Sequence, residues 1–516
     1  MSGSQRNPRA NLPGMPCEIL EMILGTFCDH CLDPGCSIWS LEWKLENQRR
    51  LESLANVSLV CNGTLRDVAQ QILHHNFPVR VRSLRNYSRL FLFVRTLINR
   101  PNLAEHVRFL GLDARAIHHL AVQAGPSRLA QRDINLLRAR GSELSLTEIP
   151  HSWQGTSVFG PAYGFAMNLA MLSAKMARVI TIVDYPIDCP RAYTDLDLAL
   201  RSQSSGSPDP DRPLARLSLL FQPEPPEITR SGRSPRTRNP LDKFGSLFKL
   251  TPEVGLLELL GCISAEADPI GPLGDEIPAQ VHLGLTPPQM ANLTRLDLIS
   301  CALTAREVGA TLSSCGNLEK FTFIHDTSPQ SWHTAGAFTV TPAGLCQALV
   351  SHAPVTLKRL IVDFPSPLWN GGQLTSLRGL LNLEEVYLGC NVLFNQGESH
   401  EIDNLAPDFL AGLLPRCVTV LGIFDFHWGT RPEKVEQPLR RFAQHLEDNP
   451  GTFSNLRQVQ AQDGYFFYNS TSSFRRLEAR FAEVNVLFTT KNPAPEPLKG
   501  ILERMKLYNR VRYFLD

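Results

Sequence analysis

The sequence predicts an α/β chain: a short N-terminal domain of three helices, then a long solenoid of irregular strand-and-helix repeats. Three observations carry this expectation. Apolar residues near the N-terminus recur at helical period, and past residue 80 a leucine pattern of strand period keeps returning. At 516 residues the chain is also longer than one compact core needs.

The first helix is expected in LPGMPCEILEMILGTF, from Leu12 to Phe27. Pro16 is tolerated in a first turn, where its missing N–H has no partner to lose, and Glu18 suits the positive end of the helix dipole. Ile19, Leu20, Ile23, Leu24 and Phe27 then form one apolar stripe. A second helix is expected through Leu51, Leu54, Val57, Ser58 and Cys61, closed by the turn signal Asn62-Gly63. A third follows through Leu65, Val68, Ala69, Ile72 and Leu73. Three short helices cover one another only in part, which leaves an apolar face for a partner helix or for the next domain. Residues 1–11 are polar and expected to be disordered; the helical domain spans 12–80, with an insertion at 28–50.

The remainder, 81–516, is expected to be the solenoid. Its clearest unit is Leu293-x-x-Leu296-x-Leu298-x-x-Cys301-x-Leu303, with helical spacing through Val308, Leu312 and Cys315. Alternating leucines predict a strand with one buried face, and the cysteine fits a small interior site. Further units start at Leu318, Leu357, Leu383, Val418 and Leu456, at spacings of 25, 39, 26, 35 and 38 residues. Fainter copies lie at Leu103 to Leu112, Met176 to Val183, Leu214 to Leu219 and Leu256 to Cys262. No such unit buries its own strand and helix, so stacking is obligatory. The alternative is an ordinary α/β domain, but a doubly wound sheet favours continuous apolar strands over this one-sided pattern. Ser/Pro/Arg-rich stretches near 201–213 and 222–240 are expected to be flexible insertions, the second with Arg230, Arg233, Arg236 and Arg238. Trp332, Trp369, Trp428 and Tyr465 to Tyr468 fall in inter-repeat connections, as core plugs or as a binding rim.

Two segments carry a family resemblance. Met15-Pro16-x-Glu18-Ile19-Leu20-x-x-Ile23-Leu24 resembles the opening of an F-box, Leu-Pro-x-Glu-Ile-Leu-x-x-Ile-Leu, and Leu54, Val57, Val60-Cys61 and Arg66-x-x-Ala69 resemble its second half. FCDHCLDPGC is similar to an insertion found in many filamentous-fungal F-box proteins. The family usually has a basic and then an aromatic residue after Val-Cys; Asn62 to Leu65 depart from that. The unit from Leu293 looks like the cysteine-containing leucine-rich repeat commonly joined to F-boxes, and RTLINRPNLAEHVRFLGL is similar to the opening strand of fungal members. The resemblance implies a substrate-recognition subunit of a Skp–cullin–F-box ubiquitin ligase. Pro16, Ile19, Leu20, Ile23, Leu24 and Val60 would contact the Skp-type adaptor and, through it, the cullin. The repeats would hold a protein client. The other reading is a repeat scaffold whose helices merely cap the solenoid.

Composition bounds the alternatives. Lys+Arg 51 against Asp+Glu 50 gives a formal charge of +1, with no global field for nucleic acid or an anionic membrane. No signal-peptide pattern or membrane-length apolar run is present in the sequence, so a cytoplasmic or nuclear location is expected and the twelve cysteines are read as reduced. Cys28-x-His30-Cys31-x4-Cys36 contains the C-x2-C spacing that suits zinc. A second well-spaced pair is missing, and adjacent His30 and Cys31 rarely ligate one ion together. Cys17 or Cys61 could help only through the fold. The expectation is therefore no metal and small thiols packing a helix end. No phosphate loop, nucleophile elbow or metalloprotease motif occurs, so no catalysis and no cofactor are expected. His74-His75 and His118-His119 are adjacent pairs that point to different helix faces. Asp425-Phe426-His427 offers an acid and an imidazole for an unrecognised hydrolase, without an evident nucleophile.

Overall fold

A computed structural model of the chain describes residues 15–28, 31, 41–61, 63–77, 85–113, 131–143, 166–184 (except 168, 172, 175 and 176), 216–221, 254–261, 290–325 (except 302), 340–364, 373–393, 408–424, 432–462 and 471–491. It divides into two compact units, one of residues 1–184 and 189–214, the other of residues 185–188 and 215–516. The expected boundary at residue 80 falls inside the first unit. The reason is local: the third helix runs straight into a strand that pairs onward.

In the first unit α1 (Cys17–Gly25) and α2 (Leu41–Val60) both pack on α3 (Thr64–His74). Their shared core is Leu20, Leu24, Cys28, Leu54, Leu65, Val68, Ala69 and Ile72. The second helix begins ten residues ahead of Leu51, so part of the insertion is helical. Gly63 provides the break between α2 and α3 at φ 67°, a backbone angle side chains rarely adopt. The chain then passes through β1 (Asn76–Phe77), α4 (Arg85–Asn99), α5 (Pro101–Ala104), β2 (Phe109–Asp113), α6 (Gln131–Glu143) and β3 (Val179–Asp184). β1 pairs parallel with β2, and β2 with β3. Phe77 stacks on Phe93 of α4 at 4.3 Å between ring centroids, which seats α4 against the first strand.

The second unit is a parallel ladder in chain order: β4 (Arg216–Phe221), β5 (Leu256–Leu260), β6 (Arg295–Cys301), β7 (Lys320–His325), β8 (Arg359–Asp363), β9 (Glu385–Gly389), β10 (Val420–Phe424), β11 (Gln458–Gln462) and β12 (Leu487–Lys491). Between them the described helices are α7 (Ala305–Ser313), α8 (Pro342–His352), α9 (Cys390–Leu393), α10 (Phe409–Leu413), α11 (Pro432–Asp448) and α12 (Thr471–Glu483). Adjacent parallel strands must be joined by a crossover, and here every crossover leads to the next neighbour.

The register aligns the expected apolar strand positions one by one. Leu217, Leu257, Leu296, Phe321, Leu360, Val386, Leu421, Val459 and Phe488 stand in one row across the ladder. Leu219, Leu259, Leu298, Phe323, Val362, Leu388, Ile423 and Ala461 stand in a second, two residues on. Both rows are buried wherever side chains are described. Cys301 sits fully buried in the small interior site, its Sγ 3.4 Å from the carbonyls of Leu259 and Ile299. A backbone motif repeats with the strands: one carbonyl accepts from two successive N–H groups of the next unit. Thr294 O accepts from Glu319 and Lys320, Glu319 O from Lys358 and Arg359, and Lys358 O from Glu384 and Glu385.

One expectation needs correction. The strands were expected to bury a single face, yet the intervening row of Ser218, Glu258, Asp297, Thr322, Ile361, Tyr387 and Gln460 is also buried. The two carboxylates of this row are paired with arginines, Glu258 from the neighbouring strand and Asp297 from its own. Glu258 accepts from Arg216 Nη2 at 2.7 Å and from Ser218 Oγ at 2.5 Å. Arg295 pairs with Asp297 at 2.9 Å, and Arg359 grips Glu385 with two nitrogens at 2.6 and 2.8 Å.

Candidate docking face and thiol cluster

The N-terminal stripe separates into two columns once the helix is built. Pro16 stands just ahead of α1, and its carbonyl accepts from the N–H of Ile19 and of Leu20, both at 3.1 Å. From that start Leu20 and Leu24 turn inward, at 0% and 5% exposure. Ile19 and Ile23 turn outward at 41% and 38%, joined by Met22 at 71%. At the far end of α2, Leu59 and Val60 are both 82% exposed.

The six residues expected to meet an adaptor are thus not equivalent. Pro16, Ile19, Ile23 and Val60 are accessible, whereas Leu20 and Leu24 hold the helices together. The inner column is the physical reason: α1 has to bury apolar surface against α3 before any partner arrives. Met22 and Leu59 belong with the accessible set and were missed by motif matching. The signal for Met22 was available in the sequence, since it lies three residues after Ile19 on the same helix face.

A second cluster lies where α1 ends. The chain leaves the helix in tight turns, with Phe27 N–H donating to Leu24 O at 3.0 Å, Cys28 to Gly25 at 2.9 Å and Cys31 to Cys28 at 2.9 Å. Cys28 is buried and Cys31 exposed. Cys31 Sγ lies 3.3 Å from His75 Nδ1, 44 positions along the chain. His75 caps α3; its carbonyl accepts from Arg108 and Phe109 N–H at 2.9 and 2.8 Å, and its ring stacks on His106 at 6.3 Å. A hydrogen bond from Cys28 holds the Cys31 thiol below the ordinary cysteine range; burial opposes this and the Arg108 charge assists it. His74 faces elsewhere, with Nδ1 2.7 Å from Gln70 O and its ring against Phe93. Of the sequence-derived thiol set, Cys28 and Cys31 are brought together and His75 joins them. His30 and Cys36 lie outside the described residues, as do Asp425 and His427, the arginine-rich insertion, and the aromatics at Trp332, Trp369, Trp428 and Tyr465 to Tyr468.

Among the described residues no helix is long and apolar enough to cross a membrane. No family model matches this chain, and no curated protein matches it.

Proposed function

We propose that the chain is a non-catalytic substrate receptor of a Skp–cullin–F-box ubiquitin ligase. Its N-terminal helices dock on the Skp-type adaptor, and a leucine-rich-repeat solenoid holds a protein client. The observation that carries this reading is the outer column of α1: Ile19, Met22 and Ile23 are left open by a helix whose inner column is already buried. Helices that served only as a cap would cover that column with their own chain. Leu59 and Val60 add apolar surface at the end of α2, and Val60 is a position the F-box pattern assigns to the adaptor. Burying such side chains supplies about 1.5–3 kcal/mol each in gross terms, before the costs of association.

The chain-order parallel ladder with its two apolar rows supports the repeat reading of the second unit. Successive strands pair in parallel in chain order, the stacking from which repeat proteins build extended binding surfaces for other proteins. Balanced charge favours a protein client over nucleic acid.

The test is capture of the full chain by purified Skp-type adaptor, beside a variant with Ile19→Asp and Ile23→Asp. Both sites are accessible, so the helical core of Leu20 and Leu24 stays intact. Capture of the wild type and its loss in the folded variant support the adaptor reading. Equal capture of both would put the adaptor contact elsewhere than the outer column of α1, and no capture of a folded wild type leaves a repeat scaffold without ligase association.

A further inference from the structure

We propose that Cys28, Cys31 and His75 bind a zinc ion that clips the turn after α1 to the C-terminal end of α3. Their ligating atoms all lie within 4.8 Å of one another, and the Cys31 Sγ to His75 Nδ1 separation is 3.3 Å. In tetrahedral zinc, bonds of about 2.3 Å to sulfur and about 2.0 Å to nitrogen place such a pair about 3.6 Å apart, and two sulfurs about 3.8 Å apart. Side-chain shifts of about 1 Å or less close the triangle on an ion.

The backbone explains why these three groups converge. Two consecutive tight turns, Cys28 N–H to Gly25 O and Cys31 N–H to Cys28 O, bring the second thiol back beside the first. His75 is fixed independently, by its N–H to Ile72 O at 3.1 Å and by the two N–H groups its carbonyl receives from Arg108 and Phe109. The backbone bonds of each segment are its own, and the core shared by α1 and α3, which includes Cys28, brings their donors together. Sequence spacing supplied the C-x2-C half and not the imidazole, which arrives only through the fold.

The donor chemistry selects the ion. Two thiolates and an imidazole are soft and borderline ligands, suited to zinc and unsuited to magnesium or calcium. Two thiolates also balance the charge of a divalent ion. Cys28 is 1% exposed while Cys31 is open to solvent, so the ion is sheltered on one side and water completes the tetrahedron on the other. Because α1 carries the outward column of Ile19, Met22 and Ile23, the clip holds that column in a fixed place relative to α3. The inference stands on the donor geometry alone and does not rest on the ligase reading.

The test is the metal content of the full-length protein, purified without chelators and measured by plasma mass spectrometry. About one zinc per chain is expected. Cys28→Ser, Cys31→Ser and His75→Ala should lose it, and Cys17→Ser, a thiol outside the cluster, should keep it. His75→Cys, which restores a ligand, should retain zinc and alter the spectrum of the cobalt-substituted protein. Folded wild type with neither zinc nor a cobalt–thiolate charge-transfer band overturns the proposal. So does a metal-free wild type with a Cys28–Cys31 disulfide, zinc that persists in both serine variants, or His75→Cys failing to restore what His75→Ala loses.

Discussion

The ring of Tyr387 fills the space that a side chain at Gly422 would need. The two residues face each other across the ladder between β9 and β10, and a Cβ at Gly422 would overlap the ring at Cδ1. The ring therefore lies along the sheet, which brings a large aromatic of the intervening row to 3% exposure. Gly422→Ala should displace it and cost about 1–3 kcal/mol, the usual scale of overpacking. Gly412 in α10 is the control: nothing lies within 4 Å of a Cβ there, so Gly412→Ala should stabilise by about 0.4–1 kcal/mol. Urea midpoints measured side by side check the pair, and equal midpoints for the two variants would refute this packing.

Tyr387 also gives the second unit an alkaline limit. Burial first, and then the Glu385 carboxylate 3.4 Å from the hydroxyl, push its phenol from the ordinary 10.0 up to about 12, against the pull of Arg359. The folded state thus keeps a proton that the unfolded chain releases. Stability from this group is intact below pH 10 and is lost as pH rises toward 12. Tyr387→Phe should flatten the stability profile over that interval by up to one proton. An unchanged slope in the variant would assign the loss to other groups, of which Cys315, raised by burial from 9.0 to about 12, is the first to examine.

The two columns of α1 predict opposite behaviour for neighbouring residues. Leu20 is fully buried in the core with Leu54, Val68 and Ile72, so Leu20→Ala should cost about 2–5 kcal/mol. Ile23→Ala, on the accessible column, should change stability by about 0.5 kcal/mol or less. Thermal unfolding of the two variants distinguishes them. Comparable losses at both positions would mean that the outer column is covered.

How much of this was legible depended on what a given position answers to. The repeat slots were readable because each unit has to supply the same two apolar positions, and Leu296/Leu298 through Leu421/Ile423 all fell into common rows. The last strand was missed because Asn485 stands where the earlier units start with Leu or Val, and Thr490 where most of them have a second large apolar residue. The stripe on α1 was readable as apolar, not as inner or outer, since its two i, i+4 columns look alike until a neighbouring helix takes one. Burial of Glu258 was illegible for a related reason. The Glu258 partners Arg216 and Ser218 stand on the neighbouring strand, where pairing follows from register that a single sequence leaves open, whereas Asp297 is met by Arg295 of its own strand. His75 needed the same kind of long-range information.

The start of α7 offers a local test of how strongly one repeat is defined. Thr304 and Glu307 form a reciprocal cap: the Thr304 hydroxyl accepts from Glu307 N–H at 3.1 Å, and the Glu307 carboxylate accepts from Thr304 N–H at 2.9 Å. Both residues are buried, so water replaces either bond poorly. Thr304→Ala should cost about 1–2 kcal/mol, at the upper end for a lost cap. Glu307→Gln should cost less, because an amide oxygen still accepts from Thr304 N–H. Hydrogen exchange localises the effect: amides of α7 should lose protection first, and those of β6 should follow because Leu303 and Val308 leave the same core. Uniform loss across the second unit would instead show that the cap is coupled to the whole ladder and that its repeats unfold as one body.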